Sequence, residues 1–148
     1  MSEYPEGVYL LKIRVRPETE LKIDKLANQT MEGDYLYVGS AHGQVGFKRV
    51  SRHLKVSAGN HDGGHWHIDH LLQAAELVRA WLLPTEQSLE CQLARELASR
   101  FPQPVRGFGS SDCNCKSHLF EYDDSKTSLV LKAMNTLETS ARPFSFDP

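Results

Sequence analysis

The stretch that most constrains the fold lies near the N-terminus, where apolar and basic residues alternate. From Leu11 to Arg16 every second residue is apolar, and the residues between them are basic. A period of two with branched side chains is typical of a strand that has one face in the core and the other in water. We therefore predict a half-buried strand over residues 7–16 that ends at Pro17, because proline cannot donate a hydrogen bond to a neighbouring strand.

Two more strands and several helices are predicted from periodicity and turn signals. After a turn at residues 33–34, a strand over 35–39 should pair antiparallel with the first strand, and residues 78–83 should form a third. Residues 18–29 could add a short strand and a turn, whereas the glycines of residues 40–46 favour a loop. The predicted helices cover residues 47–55, 65–75, 85 to about 101 with Thr85 as N-cap, and 125–137, with a short strand at 119–122 and a loose tail at 140–148.

These elements predict the α/β (α+β) fold class, with a small, mostly antiparallel three-stranded sheet flanked by helices. The 148 residues suit one domain, in which residues 1–122 form the body and 123–148 a C-terminal helix and tail. Hydrophobic residues make up 40% and charged residues 24%, which is typical of soluble proteins. The N-terminus does not resemble a signal peptide, and three cysteines argue against a disulfide framework, so we expect a cytoplasmic location.

The helix predicted over residues 47–55 has the most distinctive charge pattern of the chain. The net charge of the chain is −2, yet this helix and its flanks contain no acidic residue between Gln44 and Asn60. At 100° per residue, Arg49 and His53 lie at the border of the apolar stripe, and the opposite side carries Lys48, Arg52 and Lys55. Such a cationic face could attract a phosphate backbone, and an ordinary solvated helix face is the alternative.

A second unusual position is Glu90, an acidic residue on the apolar face of the helix predicted from Thr85. That face is built from Leu89, Leu93, Ala94, Leu97, Ala98 and Phe101. A buried carboxylate without a partner is costly, so Glu90 should be protonated, bind a cation or line a cleft. A structural ion pair with Arg49 or Arg95 is the alternative to a role in metal binding.

The order of the short motifs resembles that of the GIY-YIG endonuclease superfamily. Gly7-Val8-Tyr9 is similar to its first motif and Tyr37-Val38-Gly39 to its second. Gly39-Ser40-Ala41, followed by Arg49 and His53, is similar to the segment with the catalytic arginine, and Glu90 lies where that family has its metal-binding glutamate. The resemblance covers roughly residues 7–110, and five elements in the same order make it a specific signal.

Two further segments resemble the small, stand-alone Uri-type subgroup of that superfamily, namely residues 65–69 (HWHID) and 107–113 (GFGSSDC). Two features depart from the common pattern. The gap between the two tyrosine motifs is longer than is typical, and the asparagine that many members carry after the glutamate helix has no match. We also expect no separate DNA-binding domain.

The resemblance implies a metal-dependent DNA endonuclease, with DNA as its partner and without a membrane or an obligate protein partner. The implied catalytic residues are Tyr9, Tyr37, Arg49, His53 and Glu90, with Glu90 as the ligand of Mg²⁺ or Mn²⁺. The candidate substrate contacts are Gly39, Ser40, Lys48, Arg52, Lys55, His65, His67, Ser110 and Ser111. An inactive nucleic-acid-binding module with the same fold is the alternative function.

Some polar residues allow more than one interpretation. His65, His67 and Asp69 either contact the substrate or form hydrogen bonds at the start of the helix. Cys113, Cys115 and His118 could bind zinc, although one residue rather than two separates the cysteines and there is no second cysteine pair. A polar loop at the border of the cleft is the preferred interpretation of that segment, and a structural zinc protein is the third hypothesis.

Overall fold

This computed structural model describes most of the chain, in several ranges. The described residues are 6–22, 29–42, 46–58, 67–103, 105, 107–109, 115, 117–137 and 144–146. The elements in chain order are β1 (Gly7–Leu21), β2 (Gln29–Ala41), α1 (Lys48–Ser57), α2 (His67–Leu72), β3 (Glu76–Pro84), α3 (Glu90–Ala98), β4 (Leu119–Tyr122), α4 (Thr127–Asn135) and β5 (Phe144–Phe146), with a 3-10 turn at Asp124–Lys126 before α4.

The described strands form one antiparallel sheet in the order β4-β2-β1-β3-β5. The predicted fold class is confirmed, but the predicted number of three strands is wrong, since five strands are seen in the described residues. β4 pairs with β2 through Tyr37 and Leu119, and β5 pairs with β3. The prediction of a loose tail is therefore wrong for residues 144–146, because open hydrogen-bonding groups along β3 bind this short segment.

β1 is the central strand, and its two faces are both buried. One face presents Leu11, Ile13 and Val15 to the core, as predicted, with none of the three exposed. The prediction of a half-buried strand is nevertheless wrong, because Val8 and Leu10 on the other face are also fully buried. Lys12, on that face, is 7% exposed, and its ammonium lies 2.5 Å from Asp124 Oδ1. The buried charge is thus paired, as burial of an ion requires.

Helices cover both faces of the sheet and account for this burial. α1 and α2 pack on one face through Val50, Val56, Ile68, Leu71 and Leu72. α3 and α4 pack on the other through Leu93, Leu97, Val130, Ala133 and Met134. In the described ranges, no helix combines the length and apolar character needed to cross a membrane.

The β1–β2 hairpin is longer than predicted and contains an irregularity. β1 does not end at Pro17 but runs to Leu21, and residues 33–34 lie inside β2 rather than in a turn. The register shifts between Val15 and Thr19, opposite Gly33, whose φ is 101°. An irregularity of this kind accommodates both a proline without an N–H group and a glycine with positive φ. β2 also continues to Ala41, so the predicted loop over residues 40–46 begins two residues later.

The helix boundaries differ from the prediction by several residues. α1 extends two residues past the predicted end at Lys55, and α2 ends at Leu72, three residues before the predicted end; residues 65–66 of that prediction lie outside the described residues. Thr85 is not the N-cap of α3, because this helix begins at Glu90 and its N-cap is Leu89; the Thr85 hydroxyl accepts a hydrogen bond from the Gln87 N–H in a turn before the helix. α3 begins at Glu90, which lies in its first turn, and Ala98 on the predicted apolar face is exposed. α4 is also shorter than the predicted 125–137.

Candidate active site

The glycines of the two tyrosine motifs are required by close contacts around Tyr9. Tyr9 on β1 pairs with Gly39 on β2, and a Cβ atom at Gly39 would overlap the Tyr9 ring. A Cβ atom at Gly7 would overlap the Leu83 carbonyl oxygen and lie 2.8 Å from Phe47 Cζ. Glycine is the residue that permits such an approach of one strand to a ring or a backbone. The two motifs therefore form one structural unit in which the second supplies the space for the first.

The Tyr9 hydroxyl and His53 Nε2 lie 2.7 Å apart and form a buried hydrogen bond. His53 has no exposed surface, so the prediction that it lies at the border with solvent is wrong. α1 turns this ring towards the sheet, where it lies 5.6 Å from the Tyr9 ring and 6.5 Å from the Tyr37 ring, between ring centroids. The predicted association of Tyr9, Tyr37 and His53 is thus present in the structure.

The environment of this pair determines its protonation. Burial lowers the pKa of His53 to about 4, an effect that Asp69 opposes and that Arg52 and Arg49 reinforce. His53 is therefore neutral at pH 7, and its Nε2 atom can accept the proton of the Tyr9 hydroxyl. Burial, followed by the neighbouring Tyr37, raises the pKa of Tyr9 well above 10, whereas Arg49 lowers it.

Arg52 and Asp69 join the two helices on the tyrosine side of the sheet. Arg52 donates to both carboxylate oxygens of Asp69, at 3.1 and 3.2 Å. The prediction that Arg52 lies on the solvent side of α1 is therefore wrong, whereas Lys48 and Lys55 are exposed as predicted. Asp69 is fully buried, and its Oδ1 atom lies 4.0 Å from His53 Nδ1. It thereby places a negative charge behind the imidazole.

Arg49 lies at the end of the tyrosine strands. Its Nη1 atom donates to the Ser40 carbonyl oxygen at 2.6 Å, at the point where β2 ends. The side chain is half-buried, and its charge is close enough to lower the pKa of Tyr9. The structure thus brings Arg49, Ser40, Gly39 and Tyr9 together, as the sequence predicted.

His67 contacts a segment that precedes β4. The Gly109 N–H donates to His67 Nδ1 at 2.8 Å, so the hydrogen bond of His67 goes to a distant backbone group rather than to the start of its own helix. Gly109 has a φ of 69°, and a Cβ atom there would lie 3.0 Å from Tyr37 Cε1 and 3.3 Å from His118 Cβ. Gly109 therefore lies between Tyr37 and His118.

Glu90 lies in the first turn of α3, the helix that packs on the other face of the sheet. Its Oε1 atom lies 2.9 Å from Nδ1 of His118, and its side chain is 29% exposed. Among the described residues, His118 is thus an ion-pair partner of Glu90 that the sequence analysis did not name. Glu90 is also close enough to Tyr9 to raise the pKa of its hydroxyl.

The structure adds contacts of residues outside the implied catalytic set, of which the sequence analysis did not name Cys91. Asp69 supports His53, and His118 contacts Glu90. Cys91 lies with Cys115 and His118 in a cluster of sulfur and nitrogen atoms within 4.8 Å of one another. The proximity of Cys91 to Glu90 in sequence and the Cys-x-x-His spacing of residues 115–118 were the available signals. Three of the candidates, His65, Ser110 and Ser111, as well as Cys113, lie outside the described residues.

Fold and site together define an α+β protein that carries a buried tyrosine–histidine pair at the end of a central hairpin. Residues 8–139 match the family model described as a domain of unknown function, DUF123. This match covers most of the chain, which therefore belongs to that family. No curated protein and no solved structure matches the chain.

Proposed function

We propose that the chain is an endonuclease that hydrolyses phosphodiester bonds in DNA with a divalent metal ion. The observation that carries the proposal is the hydrogen bond of 2.7 Å between Tyr9 and the neutral His53, next to the guanidinium of Arg49. A proton acceptor beside a cation suits the attack of water on a phosphate. The resemblance of the motifs to GIY-YIG endonucleases supports the same reaction.

Glu90 is the candidate ligand for Mg²⁺ or Mn²⁺. Its side chain is 29% exposed, and its Oε1 atom lies 2.9 Å from His118 Nδ1. These hard cations prefer oxygen ligands, and Mg²⁺ keeps several waters, so a site with one carboxylate is compatible with them. When bound, the cation would offset negative charge on the scissile phosphate. Asp69 does not suit this role, because it is fully buried and both of its oxygens accept from Arg52.

Tyr9 and His53 suit the transfer of a proton from water. Burial makes a free Tyr9 phenolate unfavourable, since it raises the pKa of this residue well above 10. If the Tyr9 proton passes to His53 Nε2 while the Tyr9 oxygen accepts a proton from water, no phenolate has to form. The resulting imidazolium faces Asp69, whose Oδ1 atom lies 4.0 Å from Nδ1. Tyr37 supplies a second phenol at a ring-centroid distance of 6.5 Å from Tyr9.

Arg49 suits the stabilisation of the negative charge that develops on the phosphate. A guanidinium forms charge-assisted hydrogen bonds with phosphate oxygens, and its bond to the Ser40 carbonyl fixes its direction. Lys48 and Lys55 are exposed on the same helix and can attract the nucleic-acid backbone. A cytoplasmic location belongs to the same proposal, and the odd number of cysteines supports it.

Cleavage of labelled duplex, single-stranded and branched DNA, each with Mg²⁺, Mn²⁺ or a chelator, tests this function. Removal of transition-state contacts typically costs 100-fold or more in rate, so we expect R49A and E90Q to lose cleavage by roughly this factor and to keep DNA binding. R95A, at an exposed position of α3, is the matched control and should cleave like the wild type.

Undiminished cleavage by both R49A and E90Q would refute the proposed roles of these residues. If the wild-type chain binds DNA but cuts none of the forms with either metal, the chain is instead a nucleic-acid-binding module with this fold. A binding assay by fluorescence anisotropy, run on the same samples, separates these outcomes.

A further inference from the structure

Two cysteines and a histidine from distant parts of the chain meet beside Glu90. Cys91 lies in the first turn of α3, and Cys115 and His118 lie in the segment before β4. The two sulfur atoms and a ring nitrogen of His118 all lie within 4.8 Å of one another. Both cysteines are thiols, and the Cys115 sulfur lies 4.0 Å from the carbonyl oxygen of Cys91.

We propose that Cys91, Cys115 and His118 bind a zinc ion, at a site separate from the Mg²⁺ or Mn²⁺ of the proposed nuclease reaction. Thiolate sulfur and imidazole nitrogen are the preferred ligands of zinc, whereas Mg²⁺ and Mn²⁺ prefer oxygen. Zinc–sulfur bonds of about 2.3 Å in a tetrahedron place two sulfurs roughly 3.8 Å apart. The separations in the cluster, at most 4.8 Å, therefore need to contract by only about 1 Å, which side-chain rotation can supply.

The contact between Glu90 and His118 is a second, independent indication of a metal site. A histidine that binds zinc typically donates the N–H of its other ring nitrogen to a carboxylate, which fixes the tautomer and the orientation of the ring. Glu90 Oε1 lies 2.9 Å from His118 Nδ1, which is the distance but not the angle of such a hydrogen bond, and the His118 ring is 1% exposed. A hydrogen bond from Nδ1 to Glu90 would leave Nε2 as the nitrogen for the metal.

The local sequence suits the same ligand set. Two residues separate Cys115 from His118, which is the spacing of chelating pairs in zinc sites. Cys91 is the second residue of α3, where the positive end of the helix dipole favours a thiolate. Three protein ligands leave the fourth position of the tetrahedron for a further ligand, such as water.

Bound zinc would have a structural effect on the neighbouring site. It would tie the start of α3 to the segment before β4, and through the His118 ring it would hold the Glu90 carboxylate. A Cβ atom at Gly109 would lie close to both Tyr37 and His118, so the segment that zinc would hold is packed near the tyrosines. Glu90 thus acts towards zinc as a positioning residue rather than as a ligand.

Zinc content of the purified full-length chain, without an affinity tag and under reducing conditions, is the first test. After incubation with zinc and dialysis, we expect about one zinc per chain by mass spectrometry of the metal. C91S and C115S should each lower the zinc affinity by at least tenfold, and E90Q by about tenfold through the orientation of His118. Q92A, the neighbour of Cys91 in α3, is the matched control and should bind zinc like the wild type.

Substitution by Co²⁺ provides a readout that does not depend on the folding of a variant. Co²⁺ bound by two thiolates in a tetrahedron should give intense visible bands and a sulfur-to-metal charge-transfer band in the wild-type chain. Zinc well below one per chain, the absence of these bands, or a zinc affinity that is unchanged in both cysteine variants would overturn the proposal. Formation of a Cys91–Cys115 disulfide in place of metal binding would also overturn it. None of these readouts depends on DNA cleavage.

Discussion

Acidification should destabilise the fold through His53, and the structure gives the magnitude. Above pH 6.5 this histidine is neutral in both the folded and the unfolded chain, so it does not make stability depend on pH. Below pH 6.5 the unfolded chain takes up a proton that the buried folded form does not, since burial holds the folded pKa at about 4. Each pH unit in this interval costs about 1.4 kcal/mol, so stability should fall by about 3 kcal/mol between pH 7 and pH 4.

The variant H53Q isolates this contribution. Glutamine does not titrate, and its side-chain oxygen can accept the Tyr9 hydroxyl proton in place of Nε2. The free energy of unfolding is measured by urea denaturation at several pH values between 4 and 7. We expect the wild type to lose about 3 kcal/mol more than H53Q over this range, whatever the constant difference between them at pH 7.

K55Q, at an exposed position of the same helix, is the matched control and should follow the pH dependence of the wild type. The reasoning fails if H53Q and the wild type lose the same free energy on acidification, to within about 0.5 kcal/mol. That result would mean that the folded state admits the charged imidazole, and the proton relay proposed for Tyr9 would lose its neutral acceptor.

Two further substitutions test the packing around this pair. G39A places a Cβ atom into the Tyr9 ring, so we expect a loss of about 1–3 kcal/mol in the free energy of unfolding and a displacement of Tyr9 from His53 that NMR of the imidazole detects. G33A is the control for backbone strain alone, because the added atom meets nothing within 4 Å. An equal effect of G33A and G39A on the His53 signals would contradict the steric argument. R52L leaves the fully buried Asp69 carboxylate without its bidentate partner, so denaturation should show a loss of about 3–5 kcal/mol in the free energy of unfolding. The double variant R52L/D69L should recover most of this loss. A double variant as unstable as R52L would show that the ion pair itself stabilises the helices.

The sequence predicted those features that depend on local pattern. The strands around Tyr9 and Tyr37, the helix with Arg49, and the fold class follow from periodicity and from the order of the motifs. The proximity of Tyr9 to His53 was expected from the resemblance of the motifs to those of GIY-YIG endonucleases.

Features that depend on tertiary contacts were not predictable in the same way. The burial of His53 and the pairing of Arg52 with Asp69 follow from the packing of α1 against α2, which a helical wheel of α1 alone does not contain. The strand at residues 144–146 forms only because β3 offers open hydrogen-bonding groups, and the meeting of Cys91 with Cys115 depends on the path of the chain between α3 and β4. The termination expected at Pro17 also failed, because a register shift in the hairpin accommodates the proline.

The lengths of the strands bear on how this sheet meets other molecules of its kind. In the part of the chain that the structure describes, the three inner strands have 15, 13 and 9 residues, and the outer strands have only four and three. A long exposed edge can pair with the edge of a second chain and start aggregation, whereas a short outer strand offers few free N–H and C=O groups. By covering Ala80–Leu82 of β3, the C-terminal strand therefore removes a site at which two unfolding or newly made chains could associate.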